Sequence, residues 1–310
     1  MALNKGFEYR EQIGAKGGGL CVLAYLSGRY AHSSEEAWRE RLEKGEVFLD
    51  GRAARPGDIL RSGQRLAWRR PPWDEPEVPL GFDSIHEDKE LLVVGKPRGL
   101  PTVPAGGFLE HTLLSVVRKQ YPEATPVHRL GRGTSGIVVF ARTARARSML
   151  CEAFRNNGTT KIYRALVSGV PSSDNFTIDA PIGLAPHPRL GALHVASASG
   201  KRAVSRVRVI ECRSGCSLLE VRIETGRPHQ IRIHLATVGH PLVGDPLYVK
   251  GGGFHSRDPA LPGDLGYLLH AERIVLRHPA TGSVFEAVHP SPPELRRGFA
   301  DGSGAANKSE

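Results

Sequence analysis

The sequence lacks the features that mark membrane, secreted and zinc-ribbon proteins. No stretch of its 310 residues approaches the roughly 20 consecutive apolar residues that a membrane-spanning helix needs. The opening segment has no apolar run of the kind found in secretory signals. We therefore expect a cytoplasmic protein with reduced thiols and no metal, because its few cysteines are scattered and cannot complete a tetrahedral zinc site. They are Cys21, Cys151, Cys212 and Cys216.

Nucleotide-binding signatures are also lacking. Gly131, Gly133 and Gly136 lie in one loop, yet no Gly-Lys-Ser/Thr follows them, and no Rossmann GxGxxG precedes a helix. A zinc site at His229 and His234 is disfavoured because the glutamate of an HExxH pattern is lacking. These absences argue against enzymes that depend on ATP, a dinucleotide or zinc.

Positive charge is in excess. The chain has 42 Lys and Arg residues against 32 Asp and Glu residues, a formal net charge of +10. Such an excess favours a polyanionic partner, most often nucleic acid, because contacts between cations and phosphates release counterions. The alternative interpretation is that the charge only keeps the protein soluble.

The first 70 residues have the pattern of a small α/β module. Apolar residues at helical spacing predict one helix, and a capping box formed by Ser33 and Glu36 predicts a second helix that ends at Gly45. Short strands follow. Residues 71–84 contain four prolines and are predicted to be a linker, and the polar residues 299–310 are predicted to be disordered.

Residues 85–298 form a predicted second domain. Its strands and helices do not alternate regularly, which indicates an α+β domain with a mainly antiparallel central sheet. Strands are predicted at residues 91–94, 137–140, 163–167, 204–210, 218–223 and 274–276, and helices at residues 111–119 and 144–155.

Two segments of this domain concentrate residues that suit phosphate or substrate binding. Residues 126–136 are rich in glycine, and five arginines with no acidic residue occur from His128 to Arg147. A patch of one charge sign suits phosphates. Residues 224–235 place polar side chains among apolar ones, so some of them face a cleft or the core. For any single histidine there, a satisfied core residue is the simpler interpretation.

Taken in order, the motifs of this domain resemble those of the RluA family of RNA pseudouridine synthases. The resemblance spans about residues 85 to 290. Within the family, the chain resembles most a branch, best known from plant members, that also carries His-Arg-Leu-Gly-Arg. The N-terminal module more weakly resembles the S4 RNA-binding module. The matching motifs are His128-Arg129-Leu130, Thr134-Ser135-Gly136, Lys161 with Tyr163, Thr225-Gly226-Arg227, His229-Gln230-Ile231-Arg232 with His234, Gly239-His240-Pro241, Gly244-Asp245 with Tyr248, and Leu269-His270-Ala271.

The resemblance implies an isomerase that converts uridine in structured rRNA or tRNA into pseudouridine by base flipping and cleavage of the glycosidic bond, without a cofactor. It implies that Tyr163 lies against the flipped uracil and that Arg232 is the arginine that normally pairs with the catalytic aspartate. Arg129, Arg232 and Tyr163 are expected to line one pocket. The residues implied to bind RNA are His128, Arg129, Arg132, Thr134, Ser135, Arg227, His229 and Gln230.

The chain departs from the family at the catalytic position. An Asp follows His-Arg-Leu in the family and acts on the ribose, whereas this chain has Gly131. Three interpretations stay open: an active synthase in which another carboxylate fills the site, an inactive RNA-binding protein of the same fold, and a structural protein. A buried Arg232 needs an anion, and the acids nearest to the matching motifs are Asp88, Glu224 and Asp245.

RNA affinity is expected to fall steeply as salt concentration rises, because phosphate contacts dominate the binding free energy of such proteins. Titrations of labelled RNA with the protein at increasing salt measure this dependence. Affinity that does not change with salt would contradict both the enzymatic and the RNA-binding interpretation.

Overall fold

The computed structural model describes residues 3–30, 32–187, 190–254 and 260–299. The chain divides into two compact units, which comprise residues 1–76 with 186–193 and residues 77–185 with 194–310. The division after residue 76 lies inside the predicted linker, while the S4-like nature of the first unit stays a prediction. The predicted disordered tail lies outside the described residues except for Phe299. Among the described helices, none is long and apolar enough to span a bilayer.

The first unit has a four-stranded antiparallel sheet with the strand order β1-β4-β2-β3 and two helices. Apolar residues from both helices and from the sheet form one core, in which Trp38 and Leu26 are almost completely buried. The elements are β1 (Phe7–Gln12), α1 (Val22–Arg29), α2 (Glu35–Glu43), β2 (Val47–Leu49), β3 (Arg52–Ala53) and β4 (Arg65–Arg70).

Helix α2 has a different cap from the predicted one. Its N-cap is Ser34, whose Oγ accepts a hydrogen bond from the backbone N–H of Ala37 at 3.2 Å. Ser33 does not cap the helix, because its Oγ accepts a hydrogen bond from Arg41 Nη1 at 3.0 Å. The helix ends as predicted, with Gly45 in the left-handed region just after the last turn.

The second unit has an α+β fold, as the sequence predicts. Its large sheet has the strand order β10-β13-β14-β9-β15-β8-β6-β5, and all neighbours in it are antiparallel except β15 and β8. The strands of this sheet are β5 (Asp83–Glu87), β6 (Leu91–Lys96), β7 (Thr125–Pro126), β8 (Ser135–Ala141), β9 (Thr160–Ser168), β10 (Asn175–Ile178), β13 (Ser205–Arg213), β14 (Cys216–Ile223), β15 (Leu269–Arg277) and β16 (Val284–Val288). A separate two-stranded sheet consists of β11 (Ile182–His187) and β12 (Gly191–Ala196), parts of which are assigned to the first unit. The helices are α3 (Leu113–Gln120), α4 (Ala144–Arg155) and α5 (Gln230–Thr237).

The central strands are apolar on both faces because helices cover both. Strands β6 and β8 are buried along their whole length. Leu92 and Val94 share one core with α3 and α5, whereas the alternate residues Leu91 and Val93 share another with α4. Burial of each such side chain stabilises the fold by about 1.5–3 kcal/mol. The two-residue period of a strand thus explains the continuous apolar runs.

The loop between β7 and β8 is held by hydrogen bonds to Thr102 and to Lys96, the last residue of β6. Thr102 Oγ1 donates a hydrogen bond to Leu130 O at 2.9 Å and accepts one from Leu130 N at 3.1 Å. Lys96 is buried, and its Nζ donates to Leu100 O at 2.7 Å and to Arg132 O at 3.4 Å. These contacts hold the Gly-rich loop, which carries most of the unusual residues, in one position.

Candidate functional site

A cleft of about 930 Å³ lies in the second unit next to helix α4 and strand β9. None of the described residues that line it is acidic. Its cations are Arg129, Arg147, Arg155, Lys161 and Arg227, and its other lining residues include His128, Phe154 and Tyr163. A cavity lined by several cations without compensating carboxylates attracts a polyanion.

Tyr163 is the buried aromatic residue of this cleft. It lies in the middle of β9, where Val221 of β14 and Ala271 of β15 are its neighbours on either side. Burial raises the pKa of Tyr163 to about 12, so the phenol stays protonated at neutral pH. The cleft therefore offers a neutral ring with a polar edge to any flat ligand.

His128 forms a wall of the cleft in its neutral state. Its Nε2 accepts a hydrogen bond from Val139 N at 3.0 Å, and its ring stacks on Phe154 with centroids 4.7 Å apart. Burial, together with the charge of Lys161, lowers the pKa of His128 to about 3. Since Nε2 is the acceptor, the proton is on Nδ1. His128 thus shapes the cleft and carries no charge at neutral pH.

Arg232 does not line the cleft with Arg129 and Tyr163, contrary to the expectation of one pocket for all three. It forms a buried bidentate ion pair with Asp245, in which Nε and Nη2 each lie 2.7 Å from a carboxylate oxygen. Its Nη1 donates to Pro262 O at 3.0 Å. The anion expected beside Arg232 is therefore Asp245. The buried charge of Arg232 needs no carboxylate at position 131.

The carboxylate of Asp245 accepts four hydrogen bonds from protein groups. Its Oδ2 accepts from Arg232, and its Oδ1 accepts from Arg232 and from the backbone N–H groups of Leu247 and Tyr248 at 2.9 and 3.1 Å. Its side chain is inaccessible to solvent. A buried pair of this kind fixes two chain segments, and removal of one partner costs about 3–5 kcal/mol.

His229 lies beside the buried ion pair and contacts Tyr248. It has the left-handed φ of 54° at the start of α5, an uncommon conformation for a residue other than glycine. Tyr248 donates its hydroxyl proton to His194 O, so His229 Nδ1 donates to Tyr248 Oη at 2.7 Å. Burial and then the charge of Arg232, with a smaller effect of Arg129, lower the pKa of His229 to about 3.

Three residues predicted to bind RNA have buried structural contacts instead. Gln230 accepts from Thr225 Oγ1 and Arg227 N and donates to Val204 O and Ser205 Oγ, which uses all its hydrogen-bonding capacity. The other two are Thr134, whose Oγ1 lies 3.3 Å from Tyr267 Oη, and Ser135, whose Oγ lies 2.8 Å from His270 Nδ1. Their role in RNA binding stays a prediction.

Arg132 also lies away from the cleft. Its guanidinium carbon is 5.2 Å from the ring centroid of Phe108, while its backbone oxygen accepts from Lys96 and Gly99. Sequence reasoning missed Arg155, Phe154 and Lys161 as lining residues of the cleft. The pattern of α4 contained a signal, because it has three arginines and a single acidic residue, Glu152.

The cluster of His86, Asp88 and His278 has the composition of a metal site, but a proton occupies the His278 nitrogen that would bind the metal. His86 Nε2 and His278 Nε2 lie 2.7 and 2.8 Å from Asp88 Oδ2. However, His278 Nδ1 accepts hydrogen bonds from the backbone N–H groups of Ala280 and Thr281, so its Nε2 carries the proton that Asp88 accepts. A metal would need the lone pair of Nε2. The cluster is therefore a structural hydrogen-bond network.

Comparisons with known proteins agree with this geometry. The sequence profile of a family described as RNA pseudouridylate synthase matches residues 90–237. The chain is 42% identical over 276 residues to an uncharacterized RNA pseudouridine synthase of Synechocystis, covering 88% of this chain and 95% of that protein. It is 36% identical over 350 residues to RNA pseudouridine synthase 5 of Arabidopsis thaliana, covering 95% of each.

A bacterial relative and a solved structure extend the comparison. Ribosomal large subunit pseudouridine synthase D of Pseudomonas aeruginosa is 35% identical to the chain over 295 residues, covering 88% of each. The structure of human RNA pseudouridylate synthase domain containing 1 superposes with a TM-score of 0.57 at 25% identity, covering 72% of this chain and 89% of that one.

The free energy of unfolding is expected to fall as pH decreases from 6.5 to 5. Burial is the main cause that lowers the pKa of His128 and His229 to about 3 and that of His270 to about 4. An unfolded histidine titrates near pH 6.5, so over this range the unfolded chain binds more protons than the native one. Each histidine then contributes a slope that rises from about 0.7 kcal/mol per pH unit at pH 6.5 towards about 1.4 kcal/mol per pH unit near pH 5.

Urea denaturation at several pH values measures this slope. In the His128→Gln variant the slope should become smaller, because one of the histidines whose pKa burial lowers is no longer present. Stability that does not depend on pH between 6.5 and 5 would show that these histidines are protonated in the native protein.

Proposed function

The chain belongs to the RluA-type RNA pseudouridine synthase family, and on this premise we propose that the cleft beside α4 and β9 receives a uridine extruded from structured RNA. The enzyme isomerises uridine in RNA to pseudouridine. A single observation supports the assignment of the cleft most directly: Tyr163 and five cations line one cavity in which no described lining residue is acidic. Base extrusion is required because the reacting bond is inaccessible inside stacked RNA.

The cations of the cleft bind the phosphates on either side of the extruded nucleotide in this proposal. Arg147 and Arg155 are exposed on α4, Arg129 is exposed on the loop after β7, and Arg227 precedes α5. Phosphate contacts position an RNA without reading its sequence. Recognition of the target uridine then depends on the shape of the RNA around it.

The flat walls of the cleft suit the uracil ring. Tyr163 is neutral, and the stacked pair of His128 and Phe154 presents a second aromatic surface. Stacking of a base on an aromatic side chain contributes about 1–3 kcal/mol. We assign Tyr163 to the contact with the base, and we assign Arg232 and Asp245 a positioning role because each already satisfies the other.

Ribosomal RNA is the substrate that we propose first. The relative in Pseudomonas aeruginosa bears the name of a ribosomal large subunit enzyme, although tRNA stays an alternative. We place the enzyme in the cytoplasm, which agrees with four free cysteines. The catalytically inactive RNA-binding protein is the competing candidate, since Gly131 supplies no carboxylate.

We further propose that the first unit binds RNA, through the sheet rather than through α2. The cations Arg39 and Lys44 of α2 form ion pairs with Glu35 and Glu40. On one face of the sheet, by contrast, the pairs Phe7 with Arg70 and Tyr9 with Trp68 lie side by side. Tyr9 stacks on Trp68 at 5.3 Å, and Phe7 and Tyr9 are almost half exposed. Exposed aromatic rings beside an arginine suit unpaired bases.

Pseudouridine formation in isolated rRNA and tRNA tests the enzymatic proposal. The wild-type protein should release tritium from RNA that contains uridine labelled at C5, since the new bond forms at that carbon. In Arg147→Ala we expect KM for RNA to rise and the salt slope of binding to decrease by about one contact, because one phosphate contact is lost.

A matched control is available on the same helix. Arg145 is exposed like Arg147 but does not line the cleft, so Arg145→Ala should leave KM unchanged. A wild-type protein that binds RNA but modifies none of these RNAs would favour the inactive RNA-binding candidate. Equal effects of the two substitutions would contradict the assignment of the cleft.

The role of the first unit is tested by Tyr9→Ala in the full-length protein. Loss of one stacking platform should weaken binding to single-stranded RNA by about fivefold or more, as measured by quenching of tryptophan fluorescence. Leu20→Ala is the control, because Leu20 has the same exposed fraction of 44% and is outside this face. If both variants bind like the wild type, the sheet face does not bind RNA.

A further inference from the structure

Gly131 is exposed, but the side chain of Tyr267 lies close to it. A Cβ atom at residue 131 would lie 3.1 Å from the hydroxyl oxygen of Tyr267 and 3.7 Å from Thr134 Oγ1. Tyr267 is 1% exposed, so its ring is enclosed on all sides. A side chain that starts at residue 131 therefore begins in tight contact with the hydroxyl group of Tyr267.

The same ring explains the second glycine of the loop. A Cβ atom at Gly133 would lie 2.7 Å from Tyr267 Cζ and 2.8 Å from Cε1, closer than real contacts allow. Neither Gly131 nor Gly133 has the positive φ that favours glycine. These two residues are glycines because Tyr267 needs their space, not because the backbone needs their conformational freedom.

Tyr267 is held from three directions. Its Oη lies 3.3 Å from Thr134 Oγ1, which belongs to the turn closed by the hydrogen bond from Thr134 N to Gly131 O. Its ring centroid lies 4.2 Å from the guanidinium carbon of Arg232. The residue before Tyr267, Gly266, packs against Gly244 so closely that a Cβ on either would overlap the other's carbonyl oxygen.

These contacts form one continuous path from the buried ion pair to the cleft. Asp245 binds the polar edge of Arg232, and the face of Arg232 lies on Tyr267. Tyr267 in turn contacts the loop at Thr134, and the same loop carries Arg129 into the cleft. In the family, as the resemblance implies, the aspartate itself makes the connection between this loop and the arginine.

We propose that Tyr267 is a positioning residue that replaces the family aspartate as the link between Arg232 and the loop of residues 129–134. This inference rests on the proposed function and names a residue that acts through the loop. It has one direct consequence: position 131 is not a vacant aspartate site. An aspartate introduced there displaces Tyr267 from Arg232 instead of restoring the family arrangement.

Tyr267→Phe separates positioning from packing. The ring and its contact with Arg232 are retained, while the hydroxyl contact with Thr134 is lost. We expect kcat for pseudouridine formation to fall about tenfold, equivalent to about 1.4 kcal/mol in the activation barrier. KM for RNA should change by less than about twofold, and the melting temperature should stay close to that of the wild type.

Tyr121→Phe is the matched control. Tyr121 also uses its hydroxyl in one hydrogen bond, to Glu87, but it lies at the end of α3 and does not line the cleft. Its loss should leave kcat unchanged. Full kcat in Tyr267→Phe, with an active wild-type protein, would overturn the positioning role of the hydroxyl.

A double-mutant cycle tests the shared space without an activity measurement. Gly133→Ala should lower the melting temperature strongly in the wild-type background and hardly at all when Tyr267 is already replaced by alanine. Gly131→Asp should lower kcat in the wild-type background, because the new side chain meets the Tyr267 hydroxyl. Additive effects of Gly133→Ala and Tyr267→Ala on stability would contradict the proposal.

The two proposals fail in different ways. A wild-type protein without activity on any RNA contradicts the proposed function and removes the kinetic role of Tyr267, whatever the stability cycle shows. An active wild-type protein with additive stability effects or an unaffected Tyr267→Phe variant contradicts the role of Tyr267 and leaves the proposed function intact.

Discussion

The buried ion pair of Arg232 and Asp245 is the interaction on which the centre of the second unit depends. Both side chains are out of contact with solvent, and each hydrogen-bonding group of the pair has a partner within the protein. Charges can be buried at this depth only when they are paired in good geometry. The pair fixes the start of α5 and the segment after Gly244, and Tyr267 lies directly on its arginine.

The charge of the cleft comes from residues other than this ion pair. Asp245 neutralises the charge of Arg232. The positive charge around Tyr163 therefore comes from the other arginines that line the cleft. The histidine of the cleft is neutral, since burial lowers the pKa of His128 to about 3. The site thus combines neutral aromatic walls for a base with cations for the flanking phosphates, which is the combination that an extruded nucleotide requires.

The fold was predictable from sequence wherever local patterns decide it. Helix α4 begins and ends at the predicted residues, and the apolar runs at residues 91–94 and 137–140 are buried strands. Strand β1 was not predicted, because it is a polar edge strand whose residues are mostly exposed. The capping serine of α2 was misassigned by one residue because two adjacent serines are equally suitable by type, and only the contact with Arg41 distinguishes them.

The candidate site was predictable in part. Arg129 and Tyr163 were singled out by motifs and do line one cleft, but the partner of Arg232 is set by a tertiary contact between α5 and a loop 13 residues further along. Tyr267 carried no local signal, and nothing in the sequence around Gly133 indicates that the ring of this distant residue packs against it. Motif matching identifies a position, whereas only packing shows what occupies it.

The central claim is that the cation-lined cleft around Tyr163 holds the extruded nucleotide although position 131 has no side chain. A crystal structure of the protein bound to a substrate RNA tests it most directly. The account predicts one nucleotide out of the RNA stack, its base in contact with Tyr163 and its flanking phosphates on Arg147 and Arg155. An RNA bound with every base stacked, or with the extruded base in a different cavity, would contradict it.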